Sequence, residues 1–364
     1  MYPTPLIPSA TPAAIHPTPE LRNIAANFLV DGELVEVRGW EGGHINDSYL
    51  LTFVSGRGRS RFLLQRVNGE VFPRPRKVME NVRRVTEFVG KRAPGLAFLQ
   101  LIPTLEGNAW HEDSRSDCWR LYPFIEGTTT RLEVETVDQA KTAALAFGHF
   151  TRLLSDLPNP PLHEVIPGFH DTPQRLATLA TAAARDSLNR TAAAADDIEF
   201  VLDHSAEAGK LMALLSSGEL PRRVVHNDTK ISNVLLDQHS NEAVCVVDLD
   251  TVMPGTALFD FGDMLRSMCT RAPEDERDLS KVVIDGDLCN AIHQGYLDGT
   301  GTLLTPLERE LMPFAGFIIA LELGARFLAD HLSGDHYFRI QHREQNLDRA
   351  RVQLAIARAL SDRR

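Results

Sequence analysis

Between Val224 and Arg266 the chain sets polar residues at fixed offsets among short apolar runs. His226, Asp228, Lys230 and Asn233 follow Val224 and Val225, Asp248 and Asp250 follow the run Ala243 to Val247, and Asp260 and Asp263 flank Phe261-Gly262. A carboxylate at Asp228 can orient an attacking hydroxyl and accept its proton. An amide oxygen at Asn233 and a second carboxylate at Asp248 are the hard donors that magnesium takes when it also binds substrate phosphates. Lys230, two residues after Asp228, supplies a cation that can neutralise charge on a transferred phosphoryl group. Phosphoryl transfer needs this combination of groups.

The elements that must position these groups are strands. Val224 and Val225 read as one, Asn233 to Leu236 as a second and Ala243 to Val247 as a third, with turn residues Gln238 to Asn241 between the last two. Such a hairpin returns Asp248 to the side of Asp228 and Asn233. The order His226, Asp228, Asn233 reproduces the His-x-Asp-x-x-x-x-Asn spacing of the kinase catalytic loop. Asp248 falls where a kinase carries its main magnesium-binding carboxylate. A lone His-x-Asp is common in turns and caps, so the ordered set carries the reading. His226 and Asp260 are expected to brace the loop, and Asp250 to act as a supporting or metal group.

The segment Val225 to Arg266 resembles the aminoglycoside phosphotransferase superfamily, small-molecule relatives of the protein kinases. Its motifs H-N-D-T-K-x-x-N, D-L-D-T-V-M-P-G and L-F-D-F-G-D are similar to those of the N-acetylhexosamine 1-kinase group. That group phosphorylates N-acetylglucosamine and N-acetylgalactosamine at the anomeric hydroxyl. The resemblance implies an α+β, two-lobed protein-kinase-like fold, with a small β-rich N-lobe and a larger, mainly helical C-lobe. It also implies ATP as co-substrate with Mg2+, and Asp228 in contact with the sugar as well as the proton. The stretch G-H-I-N-D-x-Y-L is similar to the group's phosphate loop, which puts Gly42 and Gly43 at the phosphates and His44 at the sugar. From the residues alone, Gly42-Gly43 is a hairpin turn and His44 an exposed turn histidine. R-F-L-A-D-x-L-x-G-D-x-Y-F is similar to the group's sugar-binding end and carries Arg326 and Tyr337 over as hydroxyl and N-acetyl contacts.

Read in order, residues 1–20 form a disordered proline-rich lead-in, 21–126 a nucleotide-binding N-lobe, and 127–364 a catalytic and sugar-binding C-lobe. The spacing predicts a short helix over 21–30 and a strand over 34–39. The strand 61–67 lies where a protein kinase carries its phosphate-pairing lysine, and here the candidates are Gln65 and Arg66, on opposite faces. Glu80, on a helix over 76–90, is a possible ion-pair partner for Arg66. Two paired strands, 101–104 and 119–125, lead to a hinge where Tyr122, Phe124 and Ile125 would receive adenine. Helices are expected over 138–157, from Thr172-Pro173, over 196–217 and over 306–332. On the last of these Glu322, Arg326 and Asp330 share a face and read as an intrahelical ion-pair ladder.

With 38 basic and 49 acidic residues the formal charge is −11, which argues against a nucleic-acid partner. Four cysteines without a Cys-x-x-Cys pair read as free thiols of a reducing cytoplasm. No stretch is read as reaching the uninterrupted apolar length of a membrane helix, and the N-terminus has no signal-peptide pattern. The expected partners are therefore ATP and a small-molecule sugar, with neither nucleic acid nor membrane, in a monomer or homodimer. Three rivals stand beside this reading. The first is a superfamily kinase acting on choline, homoserine, a thiosugar or an aminoglycoside; polycationic aminoglycosides call for a carboxylate-lined pocket, whereas Arg326 and Tyr337 suit a neutral sugar. The second, a metal-dependent nucleotide-sugar transferase using D-L-D, leaves H-N-D-x-x-x-x-N unexplained. The third, a non-catalytic pseudokinase, draws on the missing N-lobe lysine.

Overall fold

Alternation of apolar and polar residues in the first third of the chain produces strands, and short turns make them antiparallel. The computed structural model describes residues 18–40, 45–92 and 98–362. It divides into two compact units, Met1–Glu126 and Gly127–Arg364. The first holds β1 (Glu33–Gly39), β2 (Asp47–Ser55), β3 (Gly58–Arg66), β4 (His111–Glu112) and β5 (Cys118–Pro123), in the sheet order β1-β2-β3-β5-β4. Its helices are α1 (Pro19–Ala25) and α2 (Pro75–Arg92). Leu21, Ile24 and Phe28 pack with Val37, Leu51, Leu64 and Leu121 of the sheet in one apolar cluster. α1 begins earlier than expected, because Thr18 caps it through the Leu21 N–H and Pro19 is pre-set for a first helical position.

The expected strand over 101–104 does not form. Ile102 N–H bonds to Leu121 O at 2.8 Å, but Pro103 has no N–H to continue a ladder. The partner on that edge of β5 is instead β4, through His111↔Trp119 and Glu112↔Cys118.

Past Glu126 the apolar period becomes helical. The second unit carries β6 (Thr128–Thr129), α3 (Val137–Leu154), α4 (Thr172–Arg185), α5 (Ala195–Asp203), α6 (Ser205–Ala208) and α7 (Lys210–Ser217). Next come β7 (Arg223–Val225), β8 (Val234–Asp237), β9 (Ala243–Val246) and β10 (Met253–Gly255). It closes with α8 (Ala257–Met268), α9 (Gly286–Thr300), α10 (Pro306–Glu310), α11 (Met312–Ser333) and α12 (Gln345–Ser361). β8 lies between β6 and β9, while β7 pairs with β10. The three apolar runs near the motif therefore belong to two small ladders. The helix expected over 196–217 is three helices broken at His204 and Gly209. The helix expected over 306–332 is interrupted at Leu311, because Pro313 starts a new helix and cannot accept the preceding one.

α11 corrects the hydropathy expectation. This 22-residue helix holds an 18-residue window of mean hydropathy 1.5 and is long and apolar enough to cross a membrane, yet 83% of that window is buried inside the protein. It packs against α4, α8 and α12 and is the axis of the second core. α8 reaches it at Gly262, where an added Cβ would stand 2.5 Å from Ala315 O and 2.6 Å from Ile319 Cγ1. α3 and α9 close together in the same way, with a Cβ on Gly295 falling 2.4 Å from Lys141 O. Gly262→Ala must push α8 off α11 and is expected to lower stability by about 1–3 kcal/mol. Urea melts of the two proteins measure this, and an unchanged midpoint would show that the crossing is not tight.

Candidate active site

α8 is capped by Thr256 and carries two carboxylates one turn apart that hold the loop after β7. Asp260 Oδ2 accepts the His226 N–H at 3.0 Å and its Oδ1 the Asn227 N–H at 2.7 Å. Asp263 Oδ2 accepts the Thr229 N–H at 2.6 Å, and Thr229 Oγ1 donates to Asp260 O at 2.7 Å. Arg266 donates to Asp263 Oδ1 at 2.8 Å and keeps that side chain turned to the loop. The loop thereby takes a left-handed conformation at Asn227, φ +64°. Asn227 Nδ2 donates to Thr251 O at 2.8 Å and Thr251 Oγ1 donates to His226 O at 2.7 Å. His226 is fully buried beside Phe147 and Phe150, with its Nε2–H on Val247 O at 2.9 Å.

This loop presents Asp228, whose side chain keeps 23% exposure beside Lys230 at 36%. Lys230 Nζ lies 3.0 Å from Asp228 Oδ2. Asn233 Nδ2 donates to Asp228 Oδ2 and to Asp228 O, both at 2.8 Å. With the amide nitrogen so placed, Asn233 Oδ1 is turned away from Asp228 and can face a cation. Val247 N–H bonds to Asn233 O at 2.9 Å across the β8–β9 hairpin, which sets Asp248 one residue further on. Asp248 is itself left-handed, φ +59° and ψ +62°, a conformation that non-glycine residues hold only where surroundings impose it.

One amide oxygen and one carboxylate fit magnesium that completes its shell with nucleotide phosphates and water. Among the described residues no cluster of three or more His, Cys, Asp or Glu forms a protein-only cage. Asp250, 2% exposed, sits in the single turn Leu249–Thr251.

Charge is balanced locally. Burial pushes the Asp228 carboxyl up, but Lys230, His226 and the Asn233 hydrogen bond outweigh it and hold its pKa below the ordinary value. Burial likewise disfavours the Lys230 ammonium, and Asp228, Asp248 and Asp263 more than reverse this, so its pKa is raised. Asp260 goes the other way: burial pushes it up to about 6, against the pull of His226 and the two backbone donors.

Arg326 and Tyr337 meet at the far end of α11. The Arg326 guanidinium lies over the rings of Phe169, Tyr337 and Phe338 at 5.1, 5.7 and 5.5 Å. Among the described residues it forms no hydrogen bond or ion pair. The expected ladder along α11 is absent. Glu322 accepts from His170 Nδ1 at 2.9 Å and Thr172 Oγ1 at 2.6 Å. Asp330 turns to the following loop and accepts the N–H groups of His336, Tyr337 and Phe338 at 3.0, 2.9 and 2.9 Å. Long-range partners outcompete the helical neighbours because both carboxylates are buried, at 1% and 8% exposure, where each lone pair needs a fixed donor. Asp330 thus places Tyr337, which is 53% exposed.

In the first unit, Gly42, Gly43 and His44 lie outside the described residues. Gln65 and Arg66 point to opposite faces of β3. Arg66 is matched by Asp47 and Asp117, its Nη1 lying 3.0 Å from Asp117 Oδ2; these carboxylates, and not Glu80, are its ion-pair partners. Gln65 Oε1 instead accepts from Arg120 Nε and Nη2 at 3.0 and 2.9 Å. Arg120, directly across from Gln65 on β5 and 1% exposed, was not legible as its partner, since only the strand register brings it there. Tyr122 is buried in β5. The Phe124 N–H is taken by Arg61 O at 2.9 Å, so it does not await a nucleobase as expected, and the Phe124 ring carries the Arg61 guanidinium at 4.4 Å. Ile125, half-buried, follows it in the segment after β5. A cleft of about 840 Å³ in this unit, lined by Asn27, Arg83, Glu87 and Trp110, contains none of these residues.

The Asp260 geometry sets opposite pH dependences for stability and activity. In the unfolded chain this carboxyl titrates near ~4, so between about 4 and 6 the native state holds a proton that the unfolded chain has lost. Its contribution to stability is complete below ~4 and is lost as pH rises through about 6. Activity needs the ionised form, which accepts from both N–H groups. We expect kcat/KM to fall below about pH 6, and the stability slope over pH 4–6 to shrink in Asp260→Asn. An acid limb near pH 4 would place the titration elsewhere.

Solved structures share this architecture at low sequence identity. The amicoumacin kinase hAmiN, solved with AMP-PNP and Ca2+, matches with TM-score 0.58 and 12% identity over 94% of this chain and 93% of that one. A microcompartment-associated aminopropanol kinase matches with TM-score 0.56 and 14% identity over 93% and 95%. The spectinomycin phosphotransferase APH(9)-Ia, solved with ADP and spectinomycin, matches with TM-score 0.54 and 14% identity over 91% and 94%. Residues 36–281, well over half of the chain and including the whole Asp228–Asp248 constellation, match the model of the Phosphotransferase enzyme family, to which the chain therefore belongs.

Proposed function

We propose that this phosphotransferase moves the γ-phosphoryl group of ATP to the anomeric hydroxyl of an N-acetylhexosamine. The observation that carries the acceptor is Arg326, stacked on three rings and without a hydrogen-bond partner among the described residues. A planar cation with free donors beside an exposed tyrosine suits hydroxyl and acetamido oxygens. Acids nearby are already matched: Glu322 by His170 and Thr172, Asp330 by the loop, Asp335 by Arg190 and Asn346. A polycationic acceptor would find no unmatched carboxylate in that set. The sequence resemblance to the N-acetylhexosamine 1-kinase group supports the same choice.

In this reading Asp228 accepts the proton of the anomeric hydroxyl as its oxygen bonds to the γ-phosphorus. The bond from that phosphorus to the β,γ-bridging oxygen breaks, and ADP leaves. Asn233 Oδ1 and Asp248 would hold magnesium, which when bound neutralises phosphate charge. Lys230 adds a cation two residues from the base. Because its pKa is depressed, Asp228 serves by orienting the nucleophile more than by basicity, which suits a loose transition state and a relatively acidic anomeric hydroxyl. For the nucleotide we assign the end of β3 that carries Gln65 and Arg66, where Arg66 stays partly exposed beside Asp47 and Asp117 while Arg120 is buried. The solved relatives named above, some with bound nucleotide, support ATP use, and four free cysteines suit a reducing cytoplasm.

Phosphorus NMR of the protein with magnesium-ATP and N-acetylglucosamine or N-acetylgalactosamine tests the reaction. A sugar phosphate coupled to an anomeric proton is expected. Asp228→Asn should lower kcat by about 10²- to 10⁴-fold with ATP affinity retained, and an unchanged rate would remove Asp228 from the mechanism. Arg66→Gln should raise the KM for ATP by about tenfold, the loss of one charge-assisted contact, and an unchanged KM would remove Arg66 from the clamp.

A further inference from the structure

The proline-rich lead-in before α1 has no part in the activity described so far, yet its sequence is patterned. Residues 1–17, which lie outside the described residues, carry five prolines and no Asp, Glu, Lys or Arg. Pro5-Leu6-Ile7-Pro8 is a Pro-x-x-Pro unit. In a polyproline II helix, with three residues per turn, Tyr2, Pro5 and Pro8 share one ridge. Such a helix makes no internal hydrogen bonds, so every carbonyl along it can take a donor.

The first unit holds a trough of matching form. The cleft of about 840 Å³ adjoins a second hollow of about 400 Å³, and Arg83, Glu87, Gly107 and Ala109 line both. The trough is therefore elongated, between α2 and the segment that leads into β4, which suits an extended ligand. One wall is set in advance. Arg76 donates to Glu112 Oε2 at 2.6 Å and Trp110 Nε1–H to Glu112 Oε1 at 3.1 Å, which fixes the indole. Leu105 stands 67% exposed on the same segment. On α2, Arg83 bonds to Glu87 through Nη1, at 3.1 and 3.2 Å, and among the described residues its other N–H groups have no acceptor. An indole wall with cationic donors beside it fits the ridge and the carbonyls of a polyproline II segment. Arg76, Arg83, Glu87 and Glu112 are already paired, and an uncharged segment leaves those pairs intact.

The lead-in is tied down beside this trough. It ends at Thr18, the cap of α1. Arg115, three residues past β4, donates through Nη2 to Glu20 Oε1 at 2.6 Å. Asn27, just beyond the other end of α1, lines the cleft. Thr18 and Asn27 are separated by about 13 Å of helix, whereas the ten residues from Thr18 back to Pro8 reach about 31 Å.

We propose that residues 2–8 dock in this trough, with the Tyr2, Pro5 and Pro8 ridge on Trp110 and Leu105 and backbone carbonyls on Arg83. The chain's own lead-in is the occupant because it is attached within reach. A flexible tether of this length gives an effective concentration of about 1 mM, so an intrinsic Kd of about 0.1 mM leaves it about nine-tenths docked. A second copy or another protein has no such advantage.

Two measurements on the full chain test this. Leu6 is replaced by p-benzoylphenylalanine, the protein is irradiated, and the products are mapped by peptide mass spectrometry. Crosslinks within one chain to residues 83–91 or 104–112 are expected. Crosslinks only elsewhere on the chain, only between chains, or none at all overturn the proposal. The second measurement compares amide hydrogen exchange in wild type and in a double variant, Pro5→Gly with Pro8→Gly. Both changes precede Thr18 and leave every contact described above in place. Docking at the stated ratio slows exchange over 105–110 by about tenfold, and the double variant should lose that factor while exchange in β1–β3 stays within about twofold. Equal exchange over 105–110 in the two proteins overturns the proposal, as does a rise spread evenly over the whole unit.

Discussion

Three backbone N–H groups on a four-residue loop, those of His226, Asn227 and Thr229, end on two carboxylates of one helix, Asp260 and Asp263. The rest of the site depends on that capture. Buried N–H groups without acceptors are among the more costly defects a fold can carry, so the loop has little freedom to leave the helix. Asp228, Lys230 and Asn233 inherit their positions from it. The helix is fixed in turn, because Gly262, lying between the two carboxylates in sequence, lets it seat against the backbone of α11. Backbone strain at Asn227 and Asp248 is tolerated because the surrounding bonds over-determine both residues.

Given that scaffold, the charges at the site are arranged for holding more than for proton affinity. Lys230 and Asn233 converge on one oxygen of Asp228, and both stabilise its ionised form. A strongly basic carboxylate would be the better proton acceptor, but a transition state with little bond formation gains more from alignment. The helix anchor Asp260 is more easily protonated than Asp228, whose loop it holds. Acid sensitivity therefore enters through the support of the loop before it reaches the reacting group.

Much of this was legible in the sequence, and what was not has definite physical causes. The loop motif, the hairpin that returns Asp248 and the two acids of L-F-D-F-G-D could be read because each is local: spacing sets geometry within one turn or one hairpin. The partner of Gln65 could not be read. Gln65 and Arg66 were visible as neighbours on a strand, but Arg120 stands beside Gln65 only through the β3–β5 register, fifty-five positions apart. Pro103 and Pro313 each cut an expected element, and both were visible as prolines; the apolar pattern around them was given too much weight. The expected ladder of Glu322, Arg326 and Asp330 failed for a different reason. Helical neighbours offer a few tenths of a kcal/mol on an exposed face, whereas buried carboxylates are decided by whichever donors the tertiary fold brings in. His170, 152 positions from Glu322, left no local signal at all.

In the second unit the hydrogen bonds that hold the motif loop and those around Arg326 are separate, although α8 and α11 pack on one another, and this bears on how one frame can serve different acceptors. The phosphoryl-transfer groups rest on α8 and the β7–β10 and β8–β9 ladders. The acceptor end rests on α4, α11 and the loop that Asp330 organises. Phe259 joins them by stacking on His170, an interaction that fixes distance but carries no hydrogen-bond information. Residues on α4 or after α11 can therefore change in size and polarity without unseating a single backbone bond of the catalytic loop. Solved relatives at 12–14% identity, described as kinases or phosphotransferases for amicoumacin, aminopropanol and spectinomycin, keep the same fold. In this chain Glu322 and Asp330 are matched internally and the Arg326 guanidinium lies over aromatic rings. On a protein of net charge −11, the positive charge at Arg326 is set by the side chains around it and not by the overall field.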